Sequence, residues 1–163
     1  MSRMRIGQGV DTHRLVAGCP LRLAGVEIPY ERGLEGHSDG DVLLHAVASA
    51  LLGAVGAGDL GSRFPSSQAR WKGAASAAFV TAALDLVKAA GFAVGNVDAT
   101  VIAQMPRLAP YRDAMVAGLS ACLGVHAERV SVKITSTDGL GAIGRGDGIA
   151  AQAIVLLEEI RRA

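Results

Sequence analysis

Apolar residues recur along this chain with two periods, and each change of period marks an element. Val130, Val132 and Ile134 alternate with Ser131, Lys133 and Thr135, the pattern of a strand with one buried face. Residues 4–11 alternate less cleanly but read as a first strand, in which Gly7 and Gly9 would let another backbone come close. Residues 21–23 and 26–28 flank Ala24-Gly25 as a hairpin, with Pro29 ending the second strand or holding it at an edge. β-Branched content predicts a strand over residues 94–103. Another is predicted over 149–157, from Ile154 and Val155 behind a run of glycines, although periodicity there also allows a helix.

The helical period governs three segments, the first of them residues 41–55. In residues 75–90, Phe79, Ala82, Ala83, Leu86 and Ala90 form one stripe, and Gly91 is the stop signal. In residues 110–123, Tyr111, Met115, Leu119 and Cys122 form a core-facing stripe that ends at Gly124. Residues 30–36 read as loop. Residues 62–76, polar and carrying Pro65 and the single tryptophan Trp71, read as the most mobile segment.

Composition narrows the function classes. At 163 residues the chain is expected to be one domain, 1–163, burying roughly two thirds of its unfolded surface. Charged residues make up 19%, below the usual level of about 25%, so part of the surface is expected to be buried in an oligomer. A net charge of +1 with no basic cluster leaves no electrostatic footprint for nucleic acid. The longest weakly polar run, residues 46–58, is short of the ~20 residues a membrane span needs. Nor does the N-terminus have the apolar core of a signal peptide. Cys19, in a Gly-Cys-Pro turn, and Cys122, in a predicted helix, make no disulfide framework, which points to a reducing, cytoplasmic setting.

Candidate chemistry gathers in the run from His37 to Ala46, His-Ser-Asp-Gly-Asp-Val-Leu-Leu-His-Ala. Ser38 with Asp41 has the form of a capping box, so a helix is expected to start there. Asp41 and His45, four apart, would then share one face. Taken alone, the stretch reads equally as a capped helix with one satisfied histidine. The first strand ends in Asp11-Thr12-His13, whose carboxylate and imidazole would emerge from one side as a two-toothed metal clip. An Asp-x-His by itself is more often a turn and a surface histidine, but His45 brings the set to the ligand count of a catalytic zinc site with an open fourth position. Gly56, Gly58 and Gly61 around Asp59 suit a backbone close to a ligand. Thr135-Ser136-Thr137-Asp138 is a run of hydroxyls ending in an acid. Two other motifs lead nowhere. Residues 139–144 match a dinucleotide fingerprint, but too little chain follows for a βαβ unit. Arg145-Gly146-Asp147 is a chance tripeptide.

Asp11-x-His13, the His37 to His45 run, Gly58-Asp59-Leu60-Gly61, Phe64-Pro65 and Gly144-Arg145-Gly146-Asp147-Gly148 occur in this order. With them, essentially the whole chain resembles the 2-C-methyl-D-erythritol 2,4-cyclodiphosphate synthase family of non-mevalonate isoprenoid biosynthesis. The resemblance implies an α+β fold with a mixed β-sheet and packed helices, of the Bacillus chorismate mutase kind. It also implies a homotrimer around a β prism, with active sites between neighbouring subunits. The implied enzyme is a metal-dependent phosphorus-oxygen lyase. In its substrate, 4-diphosphocytidyl-2-C-methyl-D-erythritol 2-phosphate, the 2-phosphate attacks the β-phosphate, closes the cyclic diphosphate and expels CMP.

By the same resemblance Asp11, His13 and His45 hold zinc, and His37 and Ser136 stabilise the transition state. Asp138 reaches a second divalent ion, magnesium or manganese, on the substrate diphosphate. Substrate contacts fall at Asp11, Thr12 and His13, at His37 and Ser38, and at Asp59, Leu60 and Gly61. They continue at Phe64, Pro65, Ser66, Ser67 and Gln68, and at Thr135, Ser136, Thr137 and Asp138. Ala103, Gln104, Met105, Pro106, Arg107, Leu108 and Ala109 align with the stretch near the cytosine. Ala142 and Arg145 complete the set, Arg145 at the position that meets an isoprenoid diphosphate on the threefold axis. The residue chemistry suits this reaction. Zinc with an open position holds a phosphate oxygen, and tethering both phosphates in one molecule supplies proximity, so no nucleophilic side chain is needed.

The chain also departs from the family pattern. Ser66-Ser67-Gln68 replaces Asp-Thr-Asp, and Ala75 and Ser49 stand where acids are usual. Asp138 replaces Glu, Ser136 replaces Thr, and Ala142 replaces Phe, while Val10 and Gln152 replace an aromatic and an acid near the trimer axis. These changes bear on substrate affinity and on isoprenoid binding, and leave the zinc triad intact. Two other readings stay open: a metallophosphoesterase with Asp39 or Asp41 as its bridging acid, and a catalytically silent trimer that binds a nucleotide or an isoprenoid diphosphate.

Overall fold

The computed structural model describes residues 3–65, 67, 68, 71 and 73–160. Its main sheet has five strands: β1 (Met4–Ala17), β4 (Arg32–Leu34), β5 (Phe92–Ile102), β6 (Val130–Thr135) and β7 (Gly148–Glu159), in the spatial order β4-β1-β7-β5-β6. β5 and β6 run parallel and the other pairs antiparallel, so the sheet is mixed. β2 (Leu21–Leu23) and β3 (Val26–Ile28) form the expected hairpin. The first strand does not stop at Asp11. It pairs with β7 from Met4 to Arg14 and with β4 from Leu15 to Ala17, which leaves Asp11 and His13 in mid-strand. Residues 30–36, expected as loop, supply β4 because the far end of β1 offers them a partner.

Five α-helices were found among the described residues: α1 (Val42–Ala54), α2 (Leu60–Arg63), α3 (Ala77–Ala89), α4 (Arg112–Leu123) and α5 (Gly141–Gly144). Helix α1 lies on β1 at the two glycines. A Cβ on Gly7 would fall 1.9 Å from the Ala50 carbonyl oxygen, and one on Gly9 2.0 Å from that of Ala46. No side chain fits between them. Eleven of the helix's residues, Val42 to Ala54 apart from Ser49 and Gly53, are buried, as befits a helix apolar all round. In α3 the buried stripe is Phe79, Val80, Ala83 and Val87, not one running through Ala82, Leu86 and Ala90. The 3.6 period sets the width of a stripe but not its centre, and the two branched valines take the core side. Helix α4 buries Met115 and Leu119 as expected and closes on Gly124, at φ 66°. Residues 139–144 form a turn and the four-residue α5, not the long helix of a dinucleotide site.

The capping expectation was half right. Asp41, not Ser38, is the N-cap of α1: its carboxylate accepts the Leu44 N–H at 3.1 Å, an interaction worth typically about 1 kcal/mol. The same carboxylate accepts the N–H groups of Ala24 (3.0 Å) and Gly25 (2.7 Å) at the hairpin turn. Asp41 is therefore fully buried, and it does not share a functional face with His45. Burial pushes its carboxyl up, and the three amide donors work against that rise.

Among the described residues, no helix covers the sheet's opposite face. Ile6 (73% exposed), Val10 (60%) and Ile154 (44%) stand there in the open. No helix among the described residues is long and apolar enough to cross a membrane.

Candidate active site

Alternation along β1 places Gly7, Gly9, Asp11 and His13 on the side that faces α1. The glycines bring α1 against the strand, and this sets His45, in the helix's first turns, beside the two ligand candidates. Asp11 Oδ2 lies 2.8 Å from His13 Nε2 and 2.9 Å from His45 Nδ1, and the two nitrogens are 3.0 Å apart. This is the one cluster of potential metal ligands found among the described residues. Burial works to raise the Asp11 carboxyl, but its close contacts with the His13 and His45 rings hold it well below the usual carboxylate range. Burial works to lower His13, and its bonds to Asp11 and to the Glu35 carbonyl outweigh that and raise it.

Each imidazole turns its second nitrogen outward. His13 Nδ1 donates to the Glu35 carbonyl at 2.5 Å, just after β4. His45 Nε2 lies 3.0 Å from Ser38 Oγ and 2.9 Å from Ser76 Oγ. The donor set, two imidazole nitrogens and a carboxylate with their outer atoms already occupied, fits a divalent ion of the zinc type.

In front of the triad is a cavity of about 360 Å³ lined by His37, Ser38, Leu60, Gly61, Phe64, Pro65 and Trp71, as well as the triad and Phe79. Its wall is aromatic. Phe64 and Trp71 meet edge-on at 5.1 Å, Trp71 lies 5.3 Å from Phe79, and Phe79 lies 5.5 Å from the His45 ring. The described part of residues 62–76, expected to be the most mobile, thus includes packed aromatic rings. Asp59 caps α2 through a reciprocal pair of bonds with Ser62 and is exposed, outside the cavity lining. Ser67 and Gln68 are exposed, and Ser66 lies outside the described residues.

The other expected contacts stand elsewhere. Thr12 pairs with Ala150, Ala150 with Ile102, and Ile102 with Thr135, so the Thr135 to Asp138 run lies at the same end of the sheet as the triad. Three inter-strand spacings separate β1 from β6, roughly 14 Å. Within one chain, therefore, Ser136 and Asp138 do not join Asp11, His13 and His45. Ser136 donates to Asp138 Oδ1 at 3.1 Å and accepts the Asp138 N–H at 3.2 Å. Asp138 has φ 51°, a left-handed conformation held in this tight hydroxyl turn. The 103–109 stretch adjoins that turn: Ala103 N–H donates to the Thr135 carbonyl (3.0 Å) and Gly139 N–H to Gln104 Oε1 (3.2 Å). Gln104 is half-buried, as are Pro106 and Thr137, whereas Met105, Arg107 and Ala109 are exposed. The Ala103 and Leu108 side chains are buried in the core, leaving only their backbone to meet a ligand. Ala142 and Arg145 lie in and just after α5, with Arg145 Nη2 3.0 Å from an Asp147 carboxylate oxygen.

Sequence reasoning overlooked Ser76 and underused Phe79, which it placed in a core stripe. Their positions at the start of α3 next to the single tryptophan were the only available signal. Asp39 and Asp41, the acids considered for a bridging role, are both engaged away from the triad. Asp39 accepts the Ser76 hydroxyl and backbone N–H, and Asp41 caps α1.

This fold recurs in known proteins. The YgbB family profile matches residues 4–158, and the chain belongs to that family. The 2-C-methyl-D-erythritol 2,4-cyclodiphosphate synthase of Burkholderia cenocepacia (strain HI2424) is 56% identical over 153 residues, spanning 94% of this chain and 95% of that one. Among solved structures, a CDP-bound form of 2C-methyl-D-erythritol-2,4-cyclodiphosphate synthase superposes with a TM-score of 0.87 at 39% identity, covering 94% of this chain and 99% of that one. The bifunctional IspDF of Campylobacter jejuni superposes with a TM-score of 0.94 at 39% identity; 98% of this chain is covered, but only 43% of that longer one.

Proposed function

We infer that the chain is a cyclodiphosphate synthase of the non-mevalonate isoprenoid pathway. It converts 4-diphosphocytidyl-2-C-methyl-D-erythritol 2-phosphate to 2-C-methyl-D-erythritol 2,4-cyclodiphosphate and CMP. The observation that carries this reading is the convergence of Asp11, His13 and His45 beside an aromatic-walled cavity, in a chain 56% identical to a named synthase over 94% of its length.

Asp11, His13 and His45 would hold zinc, which supplies Lewis-acid polarisation of a phosphate oxygen when bound. His37 and Ser38 face the same cavity and are placed to donate to phosphate oxygens as the ring closes. Phe64, Trp71 and Phe79 give the cavity a dry side, and Leu60 and Gly61 form its rim. Ser136 would donate to the phosphate oxygens as charge shifts, and Asp138 would hold magnesium or manganese together with the substrate diphosphate.

The active unit is a homotrimer around a β prism, the arrangement of Bacillus chorismate mutase. Two observations support it. The helix-free sheet face exposes Ile6, Val10 and Ile154, and the two groups of site residues stand level with each other across the sheet but about 14 Å apart. A neighbouring copy would bring its Ala103 to Ala109 and Thr135 to Asp138 segments, which carry the cytosine and diphosphate contacts, to this chain's metal triad. Arg145 would lie near the axis, where an isoprenoid diphosphate could bind. A phosphoesterase is disfavoured because neither Asp39 nor Asp41 faces the triad.

The test is to incubate the zinc-loaded protein, with magnesium, with the cytidine-diphosphate-linked 2-phosphate and follow phosphorus by NMR. Equimolar CMP and cyclic diphosphate are expected. Inorganic phosphate release would instead mark a hydrolase, and saturable binding without turnover a silent binder.

A further inference from the structure

We propose that Ser76, itself held by Asp39, is a positioning residue that fixes the His45 ring with its proton on Nε2 and Nδ1 bare for the metal. This inference rests on the reading that Asp11, His13 and His45 hold a divalent ion.

The available hydrogens fix the tautomer. Ser76 Oγ has one hydrogen and three neighbours: Asp39 Oδ1, His45 Nε2 at 2.9 Å and Ser38 Oγ at 3.2 Å. Asp39 already accepts the Ser76 N–H on Oδ2 (3.1 Å) and the Asp41 N–H on Oδ1 (3.3 Å), and as a carboxylate it can only accept. The Ser76 hydrogen therefore goes to Asp39, in the shortest of the three contacts. What remains toward His45 is a lone pair, so Nε2 must be the donor. Ser76 has no exposed surface, which keeps water from taking its place. The Ser38 hydroxyl, 3.0 Å from the same nitrogen, accepts a share of that proton and keeps its own hydrogen for Ser76 or the cavity.

His13 is set in the complementary way. Its Nδ1 faces the Glu35 carbonyl, another group that can only accept, and this leaves Nε2 free toward Asp11. The two imidazoles thus present opposite nitrogens to one point, each because an acceptor-only partner holds the other nitrogen. With the wrong tautomer at His45, an N–H would stand where the ion needs a lone pair. The partner of His13 is backbone and that of His45 is a side-chain pair, so only the second can be rewired by mutation.

The experiment measures zinc affinity by competition with a chromophoric chelator, alongside circular dichroism and 15N-histidine NMR of the zinc-loaded protein. Ser76→Ala, which removes the accepting lone pair and leaves His45 only Ser38, a hydroxyl able to donate as well as accept, and Asp39→Asn, which offers Ser76 an N–H and turns its hydroxyl toward His45, should each weaken zinc about 10- to 100-fold. Ser76→Thr, which restores the hydroxyl, should bind within about threefold of wild type, and NMR should place the wild-type His45 proton on Nε2 with zinc at Nδ1. Wild-type affinity in both Ser76→Ala and Asp39→Asn would overturn the proposal, as would zinc bound through Nε2 of His45. If Ser76→Ala fails to fold, the near-isosteric Asp39→Asn and the wild-type spectrum still decide. A wild-type protein that binds no zinc would instead overturn the metal reading on which the proposal rests.

Discussion

The two faces of the main sheet are built from alternate residues of the same strands, yet they differ in nearly everything else. On one face Gly7 and Gly9 admit helix α1 to backbone contact, the core closes over Ala151, Ala153 and Val155, and Asp11 and His13 meet His45 where the helix begins. On the other, Ile6, Val10 and Ile154 are left to solvent beside the Asp98–Lys133 ion pair. The first face is complete within one chain and can order a metal site. The second exposes apolar side chains, and that is where the proposed assembly draws its contacts.

The contrast is sharpest at two consecutive residues. Gly9→Val would drive a side chain into the Ala46 carbonyl and should abolish cooperative folding or cost more than about 3 kcal/mol. Val10→Ser, one residue on and pointing the other way, should leave the secondary structure intact. Urea melts followed by circular dichroism check both, and a stable Gly9→Val protein would mean that helix α1 does not need its backbone approach to β1.

His45→Ala and Asp11→Ala each remove one of three protein ligands, so purified protein should lose its zinc and its turnover while remaining folded. Elemental analysis showing full zinc in both would overturn the triad. On the open face, Ile154→Asp should yield monomers by light scattering with an unchanged circular dichroism spectrum. Turnover should fall with assembly, because the Thr135 to Asp138 run would no longer reach a triad. A monomer with full activity would place the whole site within one chain.

Smaller effects are expected at single donors and surface pairs. Ser136→Ala should slow turnover by about 10²- to 10³-fold with zinc content and mass unchanged, and Ser136→Thr should be nearly silent. Equal rates for the Ser and Ala proteins, with chemistry rate-limiting, would remove Ser136 from the transition state.

The smallest effect concerns Asp98, held below the usual carboxylate range by its bond to Lys133. Because its folded pKa is depressed, the pair stabilises above the unfolded carboxylate pKa, and that stability is lost as pH falls through the folded value. In the single chain, where both groups are this exposed, Lys133→Ala should therefore cost about 0.2–1 kcal/mol at neutral pH. The variant's stability curve should merge with that of wild type in acid. A gap that widened on acidification would contradict the sign.

Much of this architecture was legible because local chemistry and tertiary context agreed. The β6 alternation, the hairpin at Ala24-Gly25 and the stop of α4 at Gly124 all follow from patterns a few residues long. Part of the triad was legible for a related reason: Asp11 and His13 are two apart in a strand, so period alone puts them on one side. Where the reading failed, a distant partner had decided. The far half of β1 and all of β4 exist because they pair with each other. Asp41 turns away from His45 because the hairpin amides of Ala24 and Gly25 claim its carboxylate.

Residues and their near neighbours were enough to set the periods, the turns and the metal-ligand types, because each is a local property. Motifs spread along the chain also set the family. Long-range packing fixed which face of the sheet α1 covers, that Ser76 and Asp39 stand behind His45, and that the Ser136 segment lies three strands away from the triad. These are relations between segments tens of residues apart. They are set by strand order and by the close approach of helix and sheet, and no local pattern encodes either.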